Sequence, residues 1–217
     1  MNLKQLINYQ TALSLSATAQ EVKKLFNKMQ VTHLPIVEQE KFLGCIRLED
    51  SKTMEENKSL DDYRYMFNRM AISEEDNWMD ILREFARQNA NILPILNQNE
   101  QYIGILELED LLHLLGRKPF LSEAGAVLVI ETATHHYSPS EVSQIIESNN
   151  GKILGLLVTS FSENNIECTI KLNSNNLNEI TQTLRRYGYT IKSEHIEDSY
   201  TQGLKDRSKY LKKFLNI

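Results

Sequence analysis

Much that would mark a secreted, membrane-spanning or catalytic protein is missing. Cysteine is scarce: Cys45 and Cys168 stand far apart among 217 residues, each inside an apolar, strand-like run. Without a C-x-x-C pair, disulfide staples and a zinc site drop out, and the pattern suits buried thiols in a reducing compartment. The opening stretch MNLKQLINYQ has no long apolar core, so it makes a poor signal peptide. No run approaches the roughly 20 apolar residues that cross a bilayer. Positive charge is in deficit, with 24 Lys and Arg against 29 Asp and Glu, and a net charge of −5 disfavours non-specific binding to nucleic acid. There is no P-loop, no H-E-x-x-H and no G-x-S-x-G, and neither cysteine sits at a loop or helix start where a thiolate is favoured. These absences point to a cytoplasmic, non-catalytic protein. Hydrophobic residues at 41% supply ordinary cores.

What is present is a duplication. Residues 31–50 read VTHLPIVEQEKFLGCIRLED, and residues 89–110 read NANILPILNQNEQYIGILELED. With Pro35 set on Pro94, Leu34 meets Leu93 and Ile36 meets Ile95. After a one-residue shift in the turn, Gly44 meets Gly104, and Leu48-Glu49-Asp50 meets Leu108-Glu109-Asp110. Upstream, Val22 aligns with Ile81 and Phe26 with Phe85. Two copies at a period of about 60 residues make a duplicated domain, since solenoid repeats are shorter. Val22, Leu25, Phe26 and Met29 fall at helical spacing, as do Trp78, Leu82 and Phe85. Each copy therefore reads helix, strand, turn, strand, helix. Asp110 opens the next helix, which Gly116 closes.

The doubled motif "hydrophobic-Pro-Ile … Gly-x-x-x-x-x-Asp" resembles the cystathionine-β-synthase (CBS) domain pair, or Bateman module, over residues 1–117. The resemblance implies two βαββα units packed about a pseudo-twofold axis, with clefts that take adenine nucleotides in many members. It places Asp50 and Asp110 at the ribose, whose two hydroxyls a carboxylate can accept. It also places Thr32, His33, Leu34 and Pro35, and in the second copy Asn91, Ile92, Leu93 and Pro94, at the adenine. The ligand would be AMP, ADP, ATP or S-adenosylmethionine. One departure stands out: the family's Ser or Thr three residues before the Asp is replaced by Arg47 and Glu107. Arg47 suits a phosphate as a two-pronged donor, whereas Glu107 repels one. An ion pair between them across the axis would close the phosphate end. A simpler reading makes Asp50 and Asp110 helix N-caps, each worth about 1 kcal/mol. The acidic group Glu107, Glu109 and Asp110 reads as a solvated loop, and no metal is assigned.

After Gly116 the rhythm changes. The stretch RKPFLSEAG is a linker in its turn chemistry. Strand AVLVIETA follows, then a helix begun by Ser138 and Pro139, with Glu141 completing a capping box. Strands KILGLLVTSF and IECTIKL flank the turn SENN, and a second helix and the strand YTIKSEHI complete a βαββαβ, ferredoxin-like order. This part is similar to an ACT domain, a ligand-sensing unit. The loop TATHHYSP lacks the Gly that brings a ligand close, and adjacent His135 and His136 point opposite ways on an extended chain. A CBS pair followed by an ACT-like domain resembles the acetoin-utilisation AcuB-type proteins.

The expected fold class is α+β: CBS repeats over 1–58 and 59–117, a linker over 118–125, an ACT-like domain over 126–196 and an amphipathic C-terminal helix over 197–217. That basic helix, with Leu204, Leu211 and Leu215 on one face, would dock on its own chain or a twin subunit. The candidate ligand residues are His33, Pro35, Arg47, Asp50, Ile92, Pro94 and Asp110. The leading functional reading is a homodimeric regulator sensing an adenine nucleotide; the alternative is a scaffold that binds none.

Overall fold

A computed structural model describes residues 5–9 and 12–196; the expected helix over 197–217 lies outside the described residues. The chain divides into two units at Gly116/Arg117.

In the first unit, the first repeat runs α1 (Ala19–Met29), β1 (His33–Glu38), β2 (Lys41–Arg47) and α2 (Leu48–Ser51). A 3-10 helix, Leu60–Met66, leads to the second repeat: β3 (Ile72–Ser73), α3 (Trp78–Gln88), β4 (Ile92–Leu96), β5 (Tyr102–Glu107) and α4 (Leu108–Gly116). The matching helices start and stop alike. Thr18 and Glu21 form a reciprocal capping box on α1, and Asn77 accepts from Met79 and Asp80 on α3. Both end on a residue in the left-handed region, Gln30 at φ 54° and Asn89 at φ 49°. Each buries its apolar stripe, Val22 and Phe26 in one and Ile81 and Phe85 in the other, at about 1.5–3 kcal/mol per side chain.

The hairpins repeat even in their irregularities. β1 pairs with β2 and β4 with β5, antiparallel, with register shifts after Ile36 and after Ile95. Opposite those residues stand Gly44 at φ 147° and Gly104 at φ 151°. Here a second backbone segment comes close. Asn68 exchanges two backbone hydrogen bonds with Cys45, and Asn8 does the same with Ile105. A Cβ on Gly104 would lie 2.6 Å from Ile7 Cγ2 and 2.8 Å from the Asn8 carbonyl oxygen. Glycine is thus required twice over, for its φ and for that approach. Gly104→Ala should cost about 1–3 kcal/mol, read by denaturant unfolding. A loss below about 0.5 kcal/mol would mean that the approach is looser than described.

Two contacts fix the symmetry. Thr32 and Asn91, equivalent residues 59 positions apart, hydrogen-bond to each other. Lys41 and Gln101, also equivalent, form a β-bridge. A residue touches its own counterpart only on a twofold axis, so the pseudo-twofold runs through both places. The cores are traded across it. Ile92 and Ile105 of the second repeat are buried with Val22, Phe26, Leu34 and Ile36, while Phe42 and Cys45 of the first are buried with Ile81, Phe85, Leu93 and Ile95.

The second unit carries α5 (Pro119–Ser122), inside the segment read as a linker, then β6 (Ala126–Ala133), α6 (Pro139–Ser148), β7 (Lys152–Phe161), β8 (Asn165–Asn173), α7 (Leu177–Arg186) and β9 (Thr190–Ile196). Its antiparallel sheet has the order β7-β8-β6-β9, the ferredoxin-like arrangement. Alternate residues of β6 (Ala126, Leu128 and Ile130) share one core with Val142, Ile145 and Ile146 of α6 and Ile180 and Leu184 of α7. The capping box expected on α6 is only half formed. Ser138 accepts from the Glu141 N–H at 3.2 Å, but the Glu141 carboxylate is drawn away by the Tyr189 hydroxyl, 2.8 Å distant.

Candidate functional site

Where β1 begins and β2 runs into α2, the first repeat faces the end of α3 from the second. A cavity of about 200 Å³ opens there, lined by Thr32, His33, Arg47, Leu48, Glu49, Gln88 and Asn89. Its position follows from the fold: the β-ladder sets His33 opposite Arg47, and the Leu48 N–H donates to the Thr32 carbonyl at 2.9 Å. The volume is below the ~300–1,000 Å³ of drug-sized pockets.

His33 is the distinctive group. It is 3% exposed, and its Nε2 is the one buried side-chain nitrogen or oxygen without a hydrogen-bond partner among the described residues. Its Nδ1 lies 2.9 Å from Thr32 Oγ1. Burial, and secondarily the Arg47 charge, hold the imidazole pKa below its ordinary value, so the ring is neutral at physiological pH. A buried unpaired nitrogen typically costs about 1–3 kcal/mol.

Arg47 does not reach Glu107. The cross-axis ion pair considered from sequence is not formed. The Arg47 guanidinium instead grips Asp50, three residues on, at 2.7 and 3.2 Å. Glu107 accepts from Asn8 Nδ2 at 3.1 Å. A partner on the same turn leaves Arg47 exposed and solvated, which reaching across the interface would not. Nor is Asp50 an N-cap: Arg47 occupies that position of α2 without a side-chain cap bond, and Asp50 is the third helical residue. The Asp50 bond raises the Arg47 pKa further.

The remaining candidates fall elsewhere. Pro35 and Pro94 are buried inside β1 and β4, facing Cys45 and Ile105 across their ladders, and the Ile92 side chain is buried in the first core. Neither these three nor Asp50 is among the residues that line the first cavity; Asp50 adjoins it through its bond to Arg47. Asp110, in the first turn of α4, borders a different and more open space of about 450 Å³ lined by Gln5, Leu6, Ile7, Asn8 and Tyr9. The two clefts are therefore unlike: one presents an imidazole and an arginine, and the other is occupied at Glu107 by the N-terminal segment. Gln88 and Asn89 went unread at the sequence level, although alignment of Gln30 with Asn89 would have found the second. Among the described residues no group of three or more His, Cys, Asp or Glu could hold a metal ion, and no helix is long and apolar enough to cross a membrane. Cys45 is fully buried, and burial pushes its thiol pKa up.

Residues 10–50 and 63–117 match the family model of the CBS domain. The first unit is therefore a CBS domain pair. No curated protein matches the chain. Among solved structures, a CBS domain pair/ACT domain protein from Thermotoga maritima is 21% identical, covers 53% of this chain and 96% of its own, and has a TM-score of 0.48. A cystathionine β-synthase pair domain from Shewanella oneidensis is 20% identical over 52% of this chain and 69% of its own, with a TM-score of 0.46. A CBS pair solved with 5′-methylthioadenosine and S-adenosylmethionine is 20% identical over 54% of this chain and 100% of its own, with a TM-score of 0.44.

Proposed function

We propose that the CBS pair, read over 1–58 and 59–117, is the sensing half of a cytoplasmic, non-catalytic regulator and takes an adenine nucleotide in its first cleft. The observation that carries this reading is the cavity between the repeats, with His33 and Arg47 in its lining. The base would sit on His33, and the ribose and phosphate would divide the Arg47–Asp50 pair. Exposed pairs of this kind are worth about 0.2–1 kcal/mol, so opening one costs little. A phosphate then takes the planar fork of Arg47 and two ribose hydroxyls take Asp50. S-adenosylmethionine, which has no phosphate, would leave Arg47 unexchanged. Calorimetry of the full chain with AMP, ADP, ATP and S-adenosylmethionine tests this; the expected result is one site per chain, tighter for the phosphorylated ligands.

A second reading, a scaffold that binds no nucleotide, is favoured by Glu49 in the lining and by an Arg47 already neutralised by Asp50. Absence of heat at millimolar AMP from folded protein would decide for it.

Residues 126–196 would act as an ACT-like relay, in the domain order of acetoin-utilisation AcuB-type proteins, and pair with a second copy. Leu157, Val158 and Phe161 are exposed on β7, an edge strand. Val158→Lys should convert a dimer to a monomer in light scattering. A dimer that survives the change would place the interface elsewhere.

A further inference from the structure

His33 is buried beside the contact between the two repeats, and its hydrogen bonds leave one place for acid to add a proton. Asn91 Oδ1 accepts from the Thr32 N–H at 2.8 Å, and Asn91 Nδ2 donates to the Gln30 carbonyl at 3.0 Å, so the amide has one orientation. The Thr32 hydroxyl then donates to Asn91 Oδ1 at 3.0 Å and accepts from the Asn91 N–H at 3.0 Å. With that proton committed, the 2.9 Å contact between His33 Nδ1 and Thr32 Oγ1 runs from Nδ1–H to the hydroxyl oxygen. The free lone pair is on Nε2, which is shut off from solvent and has no hydrogen-bond partner among the described residues.

Charge is unevenly placed around the ring. Arg47, opposite His33 on the ladder, repels an imidazolium, and Asp50 attracts one. Glu49 borders the cavity that His33 also borders. The end of α3 offers neutral Gln88 and Asn89, and one turn earlier Glu84 and Arg87 are bonded to each other at 2.8 Å. α1 carries Lys28 in its last turn and is capped by neutral Gln30. In its seat the ring bonds no carboxylate: Nδ1 has Thr32, and Asp50 is held by Arg47 at 2.7 Å.

We propose that His33 is an acid-released latch at the seam of the repeats: neutral, it stays packed and bonded to Thr32; protonated, it leaves that seat for the cavity of the first cleft, where Glu49 and Asp50 can accept its N–H groups. The driving force is desolvation. An imidazolium in the seam is a buried cation beside a second cation, whereas in the cavity it meets carboxylates and water. The latch stands whether or not the cleft takes a nucleotide. Burial holds the imidazole below its ordinary pKa, so the folded chain takes up this proton at lower pH than the unfolded chain, whose histidine titrates near about 6.5. The stability it contributes is whole above that pH and is lost as the pH falls from there through the folded value.

The test follows the full chain from pH 8 to pH 5 in two ways. Proton NMR of wild type reads the His33 ring and its contact with the Thr32 side chain. Urea unfolding of wild type and His33→Asn is read by the fluorescence of Trp78 in α3, the one tryptophan of the chain. The ring should titrate below about pH 6.5, and the contact with Thr32 should vanish over the same range. The wild-type folded-to-unfolded ratio should fall by up to about tenfold per pH unit below about pH 6.5. In His33→Asn that part of the fall should be absent, the other histidines being common to both proteins. A ring that titrates at or above about 6.5, a Thr32 contact that survives protonation, or equal pH dependence in the two proteins would overturn the latch. The NMR readings use wild type alone, so they decide the matter even where His33→Asn does not fold.

Discussion

Asp50→Ala should weaken AMP binding at least ~100-fold while barely moving the unfolding midpoint. In the proposed complex the carboxylate accepts from two ribose hydroxyls, and hydrogen bonds to a charged group contribute about 1.5–3 kcal/mol each, so losing both removes about 3 kcal/mol or more. In the free protein Asp50 does far less. Its bond to Arg47 joins side chains that are 53% and 23% exposed, and such i,i+3 pairs are worth roughly 0.3–0.5 kcal/mol. A first-turn acid adds about 0.3–1 kcal/mol against the helix dipole. The two readouts therefore separate. A residue that merely supported α2 would lower stability and leave the binding heat intact. Calorimetry and a thermal melt on one preparation decide between them.

Asn91→Ala should have the largest effect on stability, about 2–4 kcal/mol, a fall in midpoint of roughly 10 °C or more for a unit of this size. One amide side chain accepts from the Thr32 N–H and the Thr32 hydroxyl and donates to the Gln30 carbonyl. Alanine leaves the Thr32 N–H and the Gln30 carbonyl without this partner, at the point where one repeat meets the other. The traded cores make that point critical, because neither repeat closes its own hydrophobic cluster. A change at the exposed Gln98, by comparison, should stay within about 0.5 kcal/mol. An Asn91→Ala loss no greater than that would mean that the axis contact contributes little.

The pattern of elements was legible because it is local. Apolar spacing in α1 and α3, Pro139 and Ser138 at the head of α6 and alternation along β6 each declare themselves within a few residues. The duplication was legible because the same chemistry recurs at Pro35 and Pro94 and at Gly44 and Gly104. What those glycines serve was not, since it depends on Asn8 and Asn68 arriving from segments without apolar rhythm. The two asparagines stand in the same register as the glycines and could have been paired on that ground.

Of the candidate site, only the neighbourhood was legible: the ladder sets His33 opposite Arg47, and Arg47 bonds Asp50, a pairing that the sequence reading did not expect. Arg47 had an acidic neighbour one turn away, and a local pair forms more readily than one that buries charge across an interface. Glu107 was claimed by Asn8, 99 positions distant. Glu141 was likewise drawn from its cap by Tyr189, 48 positions on. In each case a long-range donor took the carboxylate from the partner expected of it, Arg47 across the axis for Glu107 and the Ser138 cap for Glu141. The Thr32–Asn91 contact lay beyond sequence reasoning for another reason: alignment marks two residues as equivalent, not as touching.

The central claim is that the first cleft, and not the one beside Asp110, receives an adenine nucleotide. A crystal of the full chain grown with AMP tests it most directly. The account predicts the base against His33, the ribose hydroxyls on Asp50 and the phosphate on Arg47, with that pair parted. Density for AMP beside Asp110, or an Arg47–Asp50 pair still closed over an empty first cleft at saturating AMP, would contradict it.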